Sequence, residues 1–273
     1  MFSNRNLLFF IIIIFFFSGC AVIGENQRKV EITGLNVFVT LSLDFTPRKA
    51  CYSSENKTVF VFEDNSNIIH LFRDGKEINK IGNLGFEKNN FSKLSDITIS
   101  PDGNLLALDS FQKKIKKFDQ DGKWITEFEL TNLSEPTLLD IAFDETFYIF
   151  DNDLKEILIT REFEQNRNYT FGKFQFSDPT YISIQKDHIS IFDGGKTFVY
   201  NSLGQLENEL NGNIQFFFNN KIELDKYFLK IEHSDQKFAV STNEWNSFLI
   251  KGNYCILFSD KEIRIAEFVY ERR

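Results

Sequence analysis

The sequence predicts an all-β protein, a single β-propeller of six four-stranded blades. One observation is that short apolar runs alternate with turn residues, as in a meander of antiparallel strands. The other is an acidic residue that closes one such run and recurs with spacings of 45, 42 and 42 residues, at Asp64, Asp109, Asp151 and Asp193. A period of about 42 residues is the length of one propeller blade. Residues 30–273 hold close to six such units, with five or seven blades as the alternatives.

The N-terminus is expected to be an export signal and no part of the propeller. Arg5 supplies a positive charge, and an unbroken apolar run follows from Leu7 to Phe17. This run is shorter than the roughly 20 residues that span a bilayer, and it fits a secretory signal peptide. An uncleaved anchor from Leu7 to Ile23 is the alternative.

The residues after the apolar run, Ser18-Gly19-Cys20, resemble the lipobox of bacterial lipoproteins. This resemblance implies a signal peptide of residues 1–19 and acylation of Cys20, which would anchor the protein in a membrane of the cell envelope. Ala21 at the next position favours the outer membrane where one exists. Residues 20–30 would then be the lipidated cysteine and a tether, and residues 31–273 the propeller.

Charge excludes one class of partner. Arg5 is the one charged residue of residues 1–19, so the mature chain keeps 30 basic and 39 acidic residues, a net charge of about −9. An acidic surface repels the phosphate backbone, and we therefore expect no nucleic-acid partner. With Cys20 acylated, Cys51 and Cys255 remain, either as a disulfide or as two buried thiols; two buried thiols are the preferred interpretation.

The clearest repeat runs from Leu94 to Phe128. Its four strand-like runs and two Asp-Gly turns follow in the order Ile97–Ile99, Asp102-Gly103, Leu105–Leu108, Ile115–Phe118, Asp121-Gly122 and Trp124–Phe128. This copy resembles the NHL repeat, in which an inner strand, a Pro-Asp-Gly-Asn-like turn, an apolar strand ending in Asp, a third strand and an Asp-Gly-Lys-like turn follow in order. The resemblance implies a propeller blade.

The other copies are weaker. Three of these copies retain a second strand that ends in an acidic residue, followed by a third strand. They lie at Thr58–Ile78, Pro136–Gly172 and Pro179–Leu206. Two more, Ile214–Val240 and Ser247–Phe268, are degenerate. Because the chain ends soon after a third strand, we expect the fourth strand of the last blade to come from Leu35–Val39, which would close the ring.

Two roles are open to the acidic residues. Asp96 and Asp140, at the starts of inner strands, are weak candidates for calcium ligands, because calcium takes six to eight oxygen ligands. For the strand-end residues Asp64, Asp109, Asp151 and Asp193, turn closure is the preferred interpretation, since an Asp followed by a small or polar residue commonly bonds nearby backbone. The histidines, His70, His188 and His233, lack metal-ligand spacing, and we expect no cofactor, with calcium as the exception to test.

No catalytic motif stands out, whereas aromatic residues fall in or beside several predicted loops, at Tyr52, Phe86, Phe91, Phe111, Phe174, Phe176 and Trp245. The preferred hypothesis is a membrane-tethered, non-catalytic binding or scaffolding propeller with a protein or peptide partner. The alternatives are a calcium-dependent lactonase-like or other ester hydrolase with its site at the central channel, and a structural component of the envelope.

Overall fold

The computed structural model describes residues 30–161, 169–186, 188–225, 227–232, 237–239 and 245–272. The predicted signal peptide, Cys20 and His233 lie outside the described residues. Within these ranges the chain forms 24 β-strands. None of the residues described belongs to a helix with the length and apolar character needed to cross a membrane.

Strand β1 (Val30–Ser42) comes first in the chain and belongs to the sixth blade. Blade 1 consists of β2 (Pro47–Ser53), β3 (Thr58–Glu63), β4 (Ile69–Arg73) and β5 (Lys76–Ile81). Blade 2 consists of β6 (Leu94–Ile99), β7 (Leu105–Asp109), β8 (Lys114–Phe118) and β9 (Trp124–Glu129). Blade 3 consists of β10 (Pro136–Ile141), β11 (Phe147–Asp151), β12 (Glu156–Thr160) and β13 (Tyr169–Phe171).

Blade 4 consists of β14 (Tyr181–Gln185), β15 (His188–Asp193), β16 (Lys196–Tyr200) and β17 (Leu206–Asn211). Blade 5 consists of β18 (Ile214–Phe217), β19 (Asn220–Asp225), β20 (Phe228–Ile231) and β21 (Lys237–Ala239). Blade 6 consists of β22 (Ser247–Lys251), β23 (Tyr254–Phe258), β24 (Glu262–Arg272) and β1. The prediction of six four-stranded antiparallel blades is therefore confirmed.

The ring is closed by β1, which pairs with β24 as the outer strand of blade 6. The pairing runs antiparallel from Val30 opposite Arg272 to Ser42 opposite Glu262. It contains the predicted closing segment Leu35–Val39, so this prediction is also confirmed. The first and last described strands thus meet in one sheet, which gives blade 6 its fourth strand and closes the ring.

The β1–β24 ribbon is longer than any other strand pair, and its far end packs against blade 5. Val30 and Ile32 are buried in one apolar cluster with Phe217. The ring of Phe217 stacks on Phe268 of β24 at a centroid distance of 4.4 Å, and Asn220 Nδ2 donates to the carbonyl of Val30 at 3.2 Å. This ribbon supplies apolar contacts to the blade whose own repeat is degenerate.

The ring has two faces, which we call front and back. The front face carries the loops that lead into each inner strand and the turns between second and third strands, as the bond from Ser110 N to the carbonyl of Lys93 shows, at 2.9 Å. The back face carries the remaining turns, two of which meet where Gln120 Nε2 donates to Asn104 Oδ1 at 3.1 Å. Because Ser42 leads into inner strand β2 at the front, Val30 lies at the back.

The core lies between neighbouring blades. Between blades 1 and 2, the cluster includes Phe60, Leu71, Ile97, Ala107 and Phe118, all buried. These residues come from alternate positions of their strands, because side chains one residue apart point to opposite faces of a sheet. The packing holds the six inner strands around a central channel.

Candidate functional site

The central channel is the place where propellers commonly hold ligands, and in this chain its own side chains fill it. Lys49 of β2 forms an ion pair with Asp96 of β6, with 2.8 Å between Nζ and Oδ1. The Asp96 carboxylate also accepts a hydrogen bond from Leu139 N of β10 at 2.8 Å. Three successive blades are thereby joined through one buried carboxylate.

A second ion pair crosses the channel. Lys251 at the end of β22 reaches Asp140 of β10, with 2.6 Å between Nζ and Oδ1, and so links blade 6 to blade 3 on the opposite side of the ring. The Asp140 carboxylate also accepts from Thr98 Oγ1 at 2.7 Å and from Ile184 N at 2.8 Å. Asp140 therefore has no oxygen without a protein donor.

Side-chain amides complete the ring on the other side. Gln215 of blade 5 donates through Nε2 to the carbonyl of Phe248 at 2.6 Å and accepts from Ile250 N at 2.7 Å. Gln185 of blade 4 donates to the carbonyl of Ile250 at 2.8 Å. Buried polar groups are stable when they are hydrogen-bonded, and these bonds fix blades 4 and 5 against blade 6.

The described residues of the channel enclose a small cavity. A cavity of ≈ 30 Å³ lies between Cys51, Thr98, Asp140, Ser183 and Lys251. It has room for about one or two water molecules, whereas ligand pockets measure about 300–1,000 Å³. A small-molecule substrate would have to displace side chains such as Lys49 and Lys251 to occupy this cavity.

Electrostatics in the channel favour paired charges and disfavour a thiol nucleophile. Burial lowers the pKa of Lys49, but the Asp96 carboxylate and other nearby groups outweigh this effect, so the pKa lies above its usual range. Burial raises the pKa of the Cys51 thiol to about 12, against the opposing effect of Lys49. Burial likewise raises the pKa of Cys255. Cys51 and Cys255 are both buried free thiols, and as thiols they are inert nucleophiles.

The structure places both weak metal candidates, Asp96 and Asp140, in the channel, each paired with a lysine. In the part of the chain that the structure describes, no group of three or more His, Cys, Asp or Glu side chains could hold a metal ion. A calcium ion at this place would need the lysine ammonium groups to move away, because like charges repel.

The strand-end aspartates lie away from the channel site, at the front of each blade. Asp109 accepts from Ser92 N at 2.8 Å, Lys93 N at 3.3 Å and Gln112 N at 3.0 Å. Two other strand-end aspartates make similar bonds within their own blades. Asp151 accepts from Glu135 N and Leu154 N. Asp193 accepts from Ser177 N and Asp178 N. Each carboxylate therefore ties the end of the second strand to the loop that leads into the same blade.

Asp64 is placed differently. It lies one residue beyond the end of β3, and Glu63 pairs with Pro47 as Asp151 pairs with Pro136. The Asp64 carboxylate accepts from the neighbouring Asn65 side chain at 2.8 Å. Glu63 therefore holds the register position that the spacing assigned to Asp64.

The front face also carries exposed apolar side chains. Four of them, on the loops leading into blades 2 and 4 and on the β7–β8 turn, are 67–74% exposed: Leu84, Phe86, Phe111 and Phe174. The rings of Phe86 and Phe111 meet edge to face at 6.2 Å. Of the other aromatics that the sequence suggested for an interface, Tyr52 is half-buried, while Phe91, Phe176 and Trp245 are buried.

The described histidines lie apart and pack against aromatic rings. His70 is buried and stacks on Phe45 at 3.9 Å, with Nε2 at 3.3 Å from Glu63. His188 stacks on Phe216 at 4.7 Å. Neither residue lines the channel cavity.

No protein-family profile and no curated protein sequence matches the chain, but solved structures resemble it. Virginiamycin B lyase from Staphylococcus aureus superposes with a TM-score of 0.54 at 15% identity, over 86% of this chain and 100% of the lyase. A gluconolactonase from Xanthomonas campestris gives a TM-score of 0.59 at 9% identity, over 92% and 94%. The WD40 propeller domain of Doa1 gives 0.55 at 14% identity, over 86% and 97%. At these identities the similarity shows the propeller fold alone.

Proposed function

We propose that this chain is a non-catalytic binding propeller with NHL-type repeats, exported and tethered through an acylated Cys20 to a membrane of the cell envelope. The observation that carries this proposal is the channel filled by the Lys49–Asp96 and Lys251–Asp140 pairs. Among the described residues, each of these four charges has its partner, and the cavity beside them is too small for a substrate. We therefore assign the binding function to the outer surface of the propeller.

The front face is the surface that fits a protein or peptide partner. Leu84, Phe86 and Phe111 expose apolar area on neighbouring loops, and aromatic residues are enriched where proteins bind each other. Val30, from which the predicted tether starts, lies on the back face, so the tether leaves the front face accessible.

Partner binding is tested by co-purification of the full chain from detergent-solubilised membranes. We expect the double variant Phe86→Ser/Phe111→Ser to lose a stoichiometric partner that the wild type retains, because truncating aromatic contacts at an interface centre typically costs about 2 kcal/mol or more. Ile125→Ser, at an exposed position of the outer strand β9, is the control and keeps the partner. A partner kept by the double variant, or absent from the wild type, contradicts the proposal.

A calcium-dependent ester hydrolase is the second candidate, since two carboxylates share the channel and one similar structure is described as a gluconolactonase. Melting curves with calcium and with a chelator separate the two. We expect the same melting temperature in both, because Asp96 and Asp140 are held by lysines. A calcium-dependent gain of several degrees that Asp140→Asn abolishes would favour the hydrolase, since a ligand that binds the native state stabilises it.

A further inference from the structure

The described chain begins and ends on the back face, beneath blade 5. Val30 pairs with Arg272, and its carbonyl accepts a hydrogen bond from Asn220, next to the β18–β19 turn. The ten peptide units between Cys20 and Val30 reach at most about 35 Å. The six-residue strand β6 rises about 20 Å between the two faces. The tether leaves the domain from the back face, so an acyl group on Cys20 brings this face within about 35 Å of the membrane.

The back face carries two protruding apolar side chains in the neighbouring blades. Phe143, in the β10–β11 turn of blade 3, is 93% exposed, and Leu203, in the β16–β17 turn of blade 4, is 69% exposed. Tyr169 supports the second turn by donating through its hydroxyl to the carbonyl of Ser202 at 3.0 Å. Blades 3, 4 and 5 are consecutive, so these side chains and the start of the tether lie along one arc of the ring.

The described chain ends beside side chains of types that also occur at membrane–water interfaces. Tyr270 and Phe218 pack with ring centroids 5.4 Å apart. The Arg272 guanidinium lies over both rings, 5.9 Å from Phe218 and 6.0 Å from Tyr270. Tyrosine and arginine place an apolar body against acyl chains and a polar end in the headgroup region.

We propose that the back face of blades 3–5 lies on the bilayer surface, with Phe143 and Leu203 inserted among the lipid headgroups. This inference rests on the proposed tether, because the lipid on Cys20 brings this face to the membrane. The inserted side chains then fix the orientation of the propeller, and the front face with Phe86 and Phe111 points away from the bilayer towards its partner.

The test uses single labels on the full chain, expressed with its own signal and purified in detergent. Phe143→Cys and Leu203→Cys carry an environment-sensitive fluorophore, and Phe111→Cys, on the front face and 67% exposed against 69% for Leu203, is the matched control. Cys51 and Cys255 are buried, so they stay unlabelled, which labelling of the wild type verifies. Melting curves check that each labelled protein is folded. The proteins are reconstituted into vesicles of phosphatidylethanolamine and phosphatidylglycerol, with and without a nitroxide-labelled phosphatidylcholine.

We expect the vesicles to carry all three proteins on flotation, with a blue shift and loss of fluorescence to the nitroxide at positions 143 and 203 and neither change at position 111. Floating protein whose labels at 143 and 203 stay unquenched overturns the proposed orientation, and so does quenching at 111. A blue shift at 143 without nitroxide quenching also overturns it, because the contact is then with a second copy of the chain. Protein that does not float at all contradicts the tether instead, which separates the two failures.

Discussion

Single carboxylates hold the front of three blades together. Asp109 is fully buried and accepts hydrogen bonds from three backbone N–H groups and from the Gln112 side chain. Buried N–H groups need acceptors, and a charged acceptor makes stronger bonds than a neutral one. Repetition of this arrangement at Asp151 and Asp193 explains why the sequence shows an acidic residue at the second strand end of blades 2, 3 and 4.

We predict that Asp109→Asn lowers the free energy of unfolding by about 1–3 kcal/mol, because the amide turns an NH₂ group towards backbone donors and leaves some without an acceptor. Asp151→Asn should cost a similar amount, and the two losses should add, since the sites are in different blades. Asp64→Asn is the matched control, expected within about 0.5 kcal/mol of wild type. Denaturant unfolding measures the wild type, the three single variants and the Asp109→Asn/Asp151→Asn double variant, each with and without calcium, and a calcium-dependent loss would refute the turn role.

The residues that fill the channel could not be identified from sequence. Lys49 and Lys251 stand in strands as ordinary charged residues, and neither has a motif around it. Their partners lie 47 and 111 positions away, and only the closure of the ring brings these charges together. The alternation of apolar residues fixes which way a side chain points from its own sheet, but it carries no information about which blade faces it across the axis.

At the scale of the blade, the strands were predicted most accurately where the local sequence pattern is strongest. In blade 2, the runs expected from Leu94 to Phe128 became β6–β9 with boundaries shifted by a few residues at most. In blade 5, β19 (Asn220–Asp225) was not predicted, because only two of its six residues, Ile222 and Leu224, are apolar and no Asp-Gly turn marks its start. The packing of Val30 and Ile32 from β1 against this blade offsets its weak local signal.

The loop that leads into blade 2 depends on one buried lysine. Lys116 of β8 is fully buried, and its Nζ donates to the carbonyls of Glu87 at 3.0 Å and Asn90 at 2.6 Å. The ammonium group also lies 5.4 Å from the centre of the Phe91 ring. These contacts fix the loop that presents Leu84 and Phe86 on the front face.

We predict that Lys116→Met destabilises the protein by about 1–3 kcal/mol, because the carbonyls of Glu87 and Asn90 lose a charged donor, and that it raises hydrogen exchange in residues 82–93. The exposed Lys123→Met in the same blade is the control and should change neither quantity. Hydrogen exchange read by mass spectrometry measures the loop directly. Unchanged exchange in residues 82–93 would mean that the loop is held by its other contacts.

At the scale of the whole molecule, closure by β1 decides how the blades share their stability. Linear repeat arrays gain stability mainly from neighbouring repeats and can unfold piecewise. In this ring, by contrast, the first and last segments of the described chain pair in one sheet, and Lys251 joins blades 6 and 3 across the axis. We therefore expect the six blades to unfold as one cooperative unit.

The two tryptophans allow this expectation to be tested, since Trp124 lies in blade 2 and Trp245 packs beside blade 6 in the cluster of Ile32. In Trp124→Phe and Trp245→Phe proteins, each remaining tryptophan reports unfolding in its own part of the ring. Ile32→Asp places a charge in a buried apolar site and should destabilise the protein by about 3 kcal/mol or more. Asn36→Asp, at an exposed position of the same strand, is the matched control.

We predict that Ile32→Asp lowers the denaturant midpoint by the same amount at both tryptophans, because the unpaired edge left by a loosened β1 exposes the ring as a whole. Asn36→Asp should leave both midpoints unchanged. A midpoint that falls at Trp245 while Trp124 keeps its wild-type transition would show that blades 5 and 6 open on their own. In that case the β1–β24 ribbon stabilises blades 5 and 6 only. The inter-blade bonds of Asp96 and Asp140 then suffice to hold blades 1–4 as a separate unit.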